Sequence, residues 1–240
     1  MHIANRCKFI ARNITTDFRN FVLSPLYKHR NVGKDTLIDS SAQILGWRWI
    51  TIGSNSVIGE GCWLNVNKYE GTKAQIVIGN NCFIGRRTVI SPGSLIEFSD
   101  YSLLGYGCSF LGADHIYSDP FIPYVATGAT TSSEMRIGAN CWFGHSVTIL
   151  GGITLGFGSV FASTSLIRKD VPPFSLVVGN PGRVIKRYDM ARRQWIEIEK
   201  LGGAEPEIPS ETEYMAQLSR NALNLNMPRK ASGRSQGHSI

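Results

Sequence analysis

Residues 137–167 read IGANCW FGHSVT ILGGIT LGFGSV FASTSL I when the stretch is divided every six residues. Each block opens on an apolar residue: Ile137, Phe143, Ile149, Leu155, Phe161 and Ile167. A period of six matches neither the 3.6-residue period of a helix nor the two-residue alternation of a half-buried strand. It is typical of a stacked solenoid, in which each hexad supplies one short strand and one turn. Three hexads would make one triangular coil, with the opening residues pointing inward.

The same pattern occurs upstream, in the pairs Ile52-Gly53, Ile58-Gly59, Ile78-Gly79, Ile84-Gly85 and Leu104-Gly105. The period is interrupted twice, over residues 65–77 and over residues 111–136. Long irregular segments inside a compact domain usually carry function, so the loop over 111–136 is the first place to look for chemistry.

Three regions follow from this pattern: an N-terminal segment (1–34), a β-helix domain (35–187) that includes the loop, and a C-terminal region (188–240). Because proline lacks the amide that the next strand pairing needs, the coils are predicted to end at Val171-Pro172-Pro173. Residues 188–200 are predicted to form a helix that caps the open end of the solenoid.

Further along, Ser210 and Glu213 have the spacing of a capping box, which predicts a second short helix near 211–224. The last sixteen or so residues are polar and basic, a composition typical of disorder.

The cysteines fit the coils. Cys62, Cys82, Cys108 and Cys141 each stand four residues after a hexad-opening residue, a slot that favours a small apolar side chain inside a corner. The chain has five cysteines and no CxxC pair, which argues against a disulfide framework and against a zinc site. We interpret them as core residues of a protein in a reducing compartment.

The composition limits the kinds of partner and compartment that the protein is expected to have. No apolar run approaches the ~18 residues needed to span a bilayer, and basic residues interrupt the N-terminus where a signal peptide would need an apolar stretch. We therefore expect a cytoplasmic protein without a membrane span. The net charge of +7 is concentrated in residues 1–30, where aromatic residues are interleaved. This segment either packs on the first coil or contacts an anionic membrane peripherally; a nucleic-acid partner is not expected.

From residue 137 to residue 187 the sequence closely resembles the hexapeptide-repeat acetyltransferases, above all the O-acetyltransferases of sugars, polysaccharides and some antibiotics. The resemblance rests on Trp142-Phe143-Gly144, on Lys169-Asp170-Val171-Pro172-Pro173, and on Gly179-Asn180-Pro181 before Arg183 and Lys186. It implies an all-β, left-handed parallel β-helix with acetyl-CoA as co-substrate. It also implies a homotrimer with active sites between neighbouring subunits.

His115 is the candidate general base. It is the one histidine of five that lies in the interrupting loop, and the resemblance assigns the catalytic histidine to that loop. Acyl transfer to a hydroxyl needs a base whose pKa is near the working pH, which suits histidine. A third group must fix its tautomer, and Asp119, Asp114 or a backbone carbonyl would serve. No covalent nucleophile is evident, so we expect direct transfer in a ternary complex.

The resemblance also suggests a coenzyme A site. The candidate residues are Trp142, Gly144, His145, Ser163, Arg168, Lys169, Arg183 and Lys186. Trp142 precedes the inward Phe143, so alternation turns it outward as a groove wall. The positively charged side chains of Arg168, Lys169, Arg183 and Lys186 suit the phosphates of coenzyme A. His145 either contacts the cofactor or acceptor, or is an exposed turn residue.

Candidate acceptor contacts are Arg87, Asp114 and Tyr117. The adjacent arginines Arg86 and Arg87 would suit a carboxylate or phosphate on a small-molecule or glycan acceptor. The expected activity is O-acetylation of a sugar or polysaccharide precursor. The alternatives are N-acetylation of a nucleotide-linked amino sugar, antibiotic acetylation, and a non-catalytic trimeric scaffold. A zinc enzyme is not expected, because the repeats contain only two histidines, His115 and His145.

Overall fold

A computed structural model describes residues 31–66, 74–130, 133–203 and 206–222, with residues 225 and 227. The expectations for the N-terminal segment and the C-terminal tail therefore lie almost wholly outside the described residues, as does the centre of the interruption over 65–77. None of the helices in the described part of the chain is long and apolar enough to cross a membrane.

The described chain winds into six coils of short strands. Coil one has β1 (Leu37–Ile38), β2 (Gln43–Leu45) and β3 (Ile50–Ile52); coil two has β4 (Val57–Ile58), β5 (Trp63–Asn65) and β6 (Gln75–Ile78); coil three has β7 (Phe83–Ile84), β8 (Val89–Ser91) and β9 (Leu95–Phe98). Coil four has β10 (Leu103–Leu104), β11 (Ser109–Leu111), the loop strands β12 (Asp114–His115) and β13 (Ala129–Thr130), and β14 (Glu134–Ile137). Coil five has β15 (Trp142–Phe143), β16 (Thr148–Leu150) and β17 (Thr154–Leu155), and coil six has β18 (Val160–Phe161) and β19 (Leu166–Ile167).

Each strand pairs in parallel with its counterpart one coil away, which builds three faces. Face 1 has the order β1-β4-β7-β10-β15-β18, face 2 has β2-β5-β8-β11-β16-β19, and face 3 has β3-β6-β9-β14-β17. The fold is the parallel β-helix that the six-residue period predicted, in the left-handed form that the family resemblance implied. Three short 3-10 helices cover Trp47–Trp49, Tyr124–Ala126 and Ile198–Leu201.

The hexad-opening residues form the core. All six that define the period between 137 and 167 are at most 3% exposed. Phe98, Phe110, Phe143 and Phe161 form a continuous aromatic column, with successive ring centroids 4.8, 5.2 and 4.6 Å apart. Because coils three to six each contribute one ring to this column, the apolar core is continuous through that part of the stack, as expected of a solenoid.

The four repeat cysteines are buried and free, as the sequence predicted. Burial raises the pKa of Cys62 to about 11 and the pKa values of Cys82 and Cys141 to about 12, because the thiolate loses its hydration. Burial also raises the pKa of Cys108.

These thiols are expected to resist alkylation in the native protein. At pH 8 a thiol with a pKa of 11 or more is thiolate for about one molecule in a thousand or fewer, and the thiolate is the reactive form. Mass spectrometry after iodoacetamide treatment at pH 8 should find Cys62, Cys82, Cys108 and Cys141 unmodified in the folded protein. All four should be modified in about 6 M guanidinium, which exceeds the ~5 M midpoint above which a domain counts as hyperstable. Rapid native labelling of any of the four would contradict their placement in the core.

The end of the β-helix differs from the prediction. Strand β20 (Ser175–Val178) continues face 1 in parallel with β18 beyond the two prolines. Pro172 and Pro173 lie at a corner, where the ladder needs no amide, and they pack over Gly156, where a Cβ would overlap Pro173. The coils therefore do not end at 171–173.

The helix predicted over 188–200 is wrong. Strand β21 (Arg183–Asp189) pairs antiparallel with β20, and β22 (Gln194–Glu197) pairs antiparallel with β21. The Asp189 carboxylate accepts the backbone N–H of Arg192 at 2.8 Å and so closes the turn between the two strands. The open edge of face 1 provides backbone partners for this segment, and that tertiary pairing overrides its local helical pattern.

The second predicted helix is confirmed as α1 (Glu211–Asn221), with its capping box. The Ser210 hydroxyl accepts the Glu213 N–H at 3.3 Å, and the Glu213 carboxylate accepts the Ser210 N–H at 2.9 Å. Tyr214 of this helix packs on Phe157 and Phe174, with ring centroids 5.4 and 4.9 Å apart. The helix α1, together with Tyr188 and Met190, thus covers the side of the last coils.

Candidate active site

Three corners connect the faces, and the candidate residues fall on two of them. Corner A joins face 1 to face 2 and contains residues 144–147 in coil five and 162–165 in coil six. Corner B joins face 2 to face 3; it contains residues 168–170 in coil six, and in coil four it expands into residues 112–133, which we call the arm. Corner C joins face 3 back to face 1.

His115 lies on the arm, in the short antiparallel ladder that pairs it with Ala129. Its Nδ1 lies 3.0 Å from the carbonyl oxygen of Gly128. A carbonyl can only accept a hydrogen bond, so Nδ1 carries the proton of the neutral ring and Nε2 keeps a free lone pair. The side chain is exposed. This tautomer is the one that a general base acting through Nε2 requires.

Of the three groups that the sequence left open for orienting His115, the structure supplies the backbone carbonyl. The Asp119 carboxylate accepts the backbone N–H of Phe121 at 2.9 Å. The Asp114 carboxylate accepts the backbone N–H of His115 itself at 2.9 Å, which fixes the backbone and not the ring. Gly128 was not identified from the sequence, because a carbonyl partner has no side-chain signature.

The arm presents an apolar surface. Tyr117, Phe121 and Val125 are 72, 94 and 92% exposed. A two-stranded ladder of two residues per strand is too small to be stable alone. Large apolar side chains exposed together mark a surface that meets a partner.

Face 1 and corner A bring together most of the predicted cofactor residues. On the outside of face 1, Leu103, Trp142, Val160, Leu176 and Lys186 are successive register partners. Trp142 is 52% exposed, so it points outward as alternation predicted. Lys186 is three strands further along the face, about 14 Å from Trp142 at the usual strand spacing.

Corner A adds three more predicted cofactor residues to this side: Gly144, His145 and Ser163. The backbone N–H of His145 donates to the Ser163 hydroxyl at 3.0 Å, so these side chains occupy adjacent coils. The buried Gly144 precedes them, where a Cβ would overlap the backbone of Ser163. Arg183 pairs in register with the exposed Val178 and lies at the same edge. Arg87 is at corner A of coil three.

The remaining candidates lie elsewhere. Arg168 and Lys169 are at corner B, at the same corner of the prism as the arm with Asp114, His115 and Tyr117. One face of the prism, face 2, separates this set from corner A. The candidate residues of a single chain therefore fall into two groups, which we call the corner A half-site, with face 1, and the corner B half-site, with the arm.

One residue at corner A was missed. Tyr106 stands between Arg87 and His145, and its backbone N–H donates to Nδ1 of His145 at 3.2 Å. A signal was available, because Tyr106 directly follows the glycine of a hexad, as His145 does. Within the described ranges, no group of three or more His, Cys, Asp or Glu side chains is placed to hold a metal ion.

Comparison with known proteins agrees with the repeats and the fold described above. The family model described as "hexapeptide repeat of succinyl-transferase" matches residues 75–94 and 135–162, which lie in coils two to six. These two stretches of the chain match the hexapeptide-repeat model. This hexapeptide-repeat protein also resembles, in fold, an N-acyltransferase of Bacillus cereus, AntD, solved with dTDP and 3-hydroxybutyryl-CoA. The TM-score is 0.57 at 20% identity, over 83% of this chain and 97% of that chain.

Curated relatives match at higher identity over part of their length. A probable acetyltransferase of Mycobacterium tuberculosis is 31% identical over 150 residues, which is 62% of this chain and 46% of the relative. A putative acetyltransferase of Staphylococcus aureus is 34% identical over 114 residues, 48% of this chain and 56% of the relative. A putative lipopolysaccharide biosynthesis O-acetyl transferase of Escherichia coli is 32% identical over 112 residues, 47% of this chain and 53% of the relative. The chain thus spans about half the length of the curated relatives that it matches.

Proposed function

We propose that this hexapeptide-repeat protein is an acetyl-CoA-dependent O-acetyltransferase, which acetylates a hydroxyl of a sugar or polysaccharide precursor in the cytoplasm. The observation that carries the proposal is the tautomer of His115. Its Nδ1 is bonded to Gly128 and its Nε2 is left free on an exposed arm. The three curated relatives described above are named as acetyltransferases, and the Escherichia coli protein is named for O-acetyl transfer.

In the proposed reaction, Nε2 of His115 takes the proton of the acceptor hydroxyl as that oxygen attacks the thioester carbonyl. A C–O bond forms and the C–S bond breaks. The imidazolium then returns its proton to the departing thiolate, so the ring ends as it began. The Gly128 carbonyl stabilises the imidazolium through the hydrogen bond to Nδ1 and holds the ring in place. No covalent enzyme intermediate is needed, because donor and acceptor are held together.

The corner A half-site suits coenzyme A. The exposed ring of Trp142 offers an apolar wall for the pantetheine arm, and the corner at Gly144, His145 and Ser163 offers backbone groups beside it. Arg183 and Lys186 supply positive charge at the far end of the same face, where phosphates would lie. The distance of about 14 Å from Trp142 to Lys186, three strand spacings, suits a long extended ligand.

The two half-sites support a homotrimer. His115, with Asp114 and Tyr117, lies away from six of the coenzyme A candidates: Trp142, Gly144, His145, Ser163, Arg183 and Lys186. The other two coenzyme A candidates, Arg168 and Lys169, lie at the same corner as His115. One chain therefore does not bring base and thioester together by itself, but the arm of one copy meeting face 1 of the next would. The exposed arm tip and the outward apolar column of face 1 provide matching surfaces for that contact. Three copies close such a head-to-tail contact into a ring.

Thiol release from acetyl-CoA tests the proposed function. We expect turnover that depends on a hydroxyl-bearing sugar, nucleotide sugar or polysaccharide fragment, with an ester product by mass spectrometry. An amide product on amino sugars would replace the proposal with N-acetylation, and turnover on aminoglycosides or other antibiotics alone would make the protein a drug-modifying enzyme. Absence of coenzyme A binding would favour the scaffold.

A further inference from the structure

Three exposed side chains form a row along corner A, one from each of coils three, four and five: Arg87, Tyr106 and His145. Backbone bonds place Tyr106 beside Arg86 and His145 beside Tyr106, because Gly107 N–H donates to the Arg86 carbonyl at 2.9 Å and Ser146 N–H donates to the Tyr106 carbonyl at 2.8 Å. Arg87 is the next residue after Arg86, and its side chain reaches Tyr106. Neighbouring coils are about 4.8 Å apart, so the row is about 10 Å long. We call these three side chains the corner A row.

Tyr106 orients both of its neighbours. Its hydroxyl accepts a hydrogen bond from the Arg87 guanidinium at 2.9 Å, so its own proton is left to donate outward. Its backbone N–H, which can only donate, points at Nδ1 of His145. Nδ1 must therefore be the unprotonated nitrogen, and the neutral ring presents Nε2–H to the outside. His145 thus has the opposite tautomer to His115.

Every member of the corner A row consequently presents a donor: a guanidinium, a phenol O–H and an imidazole N–H. The carboxylate that approaches this corner, Glu60, lies 3.9 Å from Arg86 instead. No ion pair neutralises Arg87 among the described residues. A carboxylate or phosphate accepts hydrogen bonds only, and it complements such a row, whereas an ammonium group would be repelled.

We infer that the corner A row binds an anionic group, a carboxylate or a phosphate, on the sugar acceptor. Tyr106 and His145 act as specificity residues beside Arg87. This inference rests on the proposed acetyl transfer for the meaning of "acceptor", but binding of the anion does not require acetyl-CoA. The assignment also gives His145 a role toward the acceptor rather than toward the cofactor.

The structure offers matched variants. Arg87 has φ +57°, a left-handed conformation, and the same corner slot has glycine in coils two and four, Gly61 at φ +64° and Gly107 at φ +70°. Arg87→Gly therefore removes the guanidinium and introduces glycine, the residue found at this position in the two neighbouring coils. The Tm of the variant should be unchanged or higher. His145→Asn retains an acceptor for the Tyr106 N–H but loses the Nε2–H donor. Tyr106→Phe removes only the hydroxyl.

The test is ligand-observed NMR binding with the full chain, without acetyl-CoA, of glucuronate, glucose 1-phosphate and glucose. We expect both acids to bind about tenfold or more tightly than glucose, since a hydrogen bond to a charged group contributes about 1.5–3 kcal/mol. Arg87→Gly, Tyr106→Phe and His145→Asn should each remove most of that preference and leave glucose binding unchanged. In ¹⁵N-histidine spectra, His145 should show protonated Nε2, whose resonance shifts with the acids and not with glucose.

Equal affinity for glucose and for both acids would overturn the inference, and so would an acid preference that survives in Arg87→Gly. A His145 ring protonated at Nδ1 would also contradict it. Preference for one acid over the other would identify whether the natural group is a carboxylate or a phosphate. Preferential binding of the acids without thiol release would support the corner A row as an anion site and contradict the proposed acetyl transfer. Thiol release without a preference for the acids would support acetyl transfer and contradict the anion site.

Discussion

His115→Ala is expected to lower kcat for acetyl transfer by a factor of about 10² to 10⁴, the usual contribution of a general base. The thioester is intrinsically reactive, so activity above background should remain through binding and orientation. The dissociation constant for coenzyme A should not change, because His115 is not among the proposed cofactor residues. The Tm should not change either, because His115 is exposed and its ring makes one hydrogen bond. Initial rates of thiol release at saturating substrates measure the effect.

Asp119→Asn is the matched control on the same arm. Its amide oxygen still accepts the Phe121 N–H, so the turn is kept and only the negative charge is lost. We expect activity within a fewfold of wild type, because Gly128 rather than Asp119 holds Nδ1 of His115. If Asp119→Asn were as damaging as His115→Ala, Asp119 would be the orienting group. If His115→Ala kept full kcat, the proposed base would be wrong.

The sequence predicted the body of the fold because its core is periodic. A hexad-opening residue such as Phe143 faces inward in every coil for the same geometric reason, so the pattern alone gives orientation. The free, buried cysteines followed from the same period. The hairpin over residues 183–197 did not follow from the sequence, because its strands form only by pairing with the open edge of β20. Local pattern carries no information about such a tertiary edge.

The candidate site was predictable in its residue types but not in its connections. The interrupting loop identified His115, and alternation turned Trp142 outward. The tautomer of His115 depends on a carbonyl thirteen positions away, brought close by the antiparallel pairing inside the arm. The tautomer of His145 depends on a backbone N–H from the neighbouring coil, thirty-nine positions away. Neither partner leaves a side-chain signal in the sequence.

The separation of the two half-sites has a large and specific consequence. A subunit with His115→Ala lacks the base but keeps a sound corner A half-site. A subunit with Arg183→Glu and Lys186→Glu keeps His115 on an unchanged arm. It lacks the positive charge that is proposed to bind the phosphates of coenzyme A. Each homotrimer should be nearly inactive at low acetyl-CoA. In a mixed trimer, however, one arm with an intact His115 meets one intact face of the next subunit.

Co-expression of these two variants under different affinity tags, followed by tandem purification of the mixed trimers, is the most direct measurement. If three copies close in a ring with each site shared between neighbours, every mixed trimer has one sound site, and thiol release should reach about one third of the wild-type rate. We expect this recovery from two inactive parents. Mixed trimers no more active than their parents, or a wild-type protein that is active as a monomer, would contradict it.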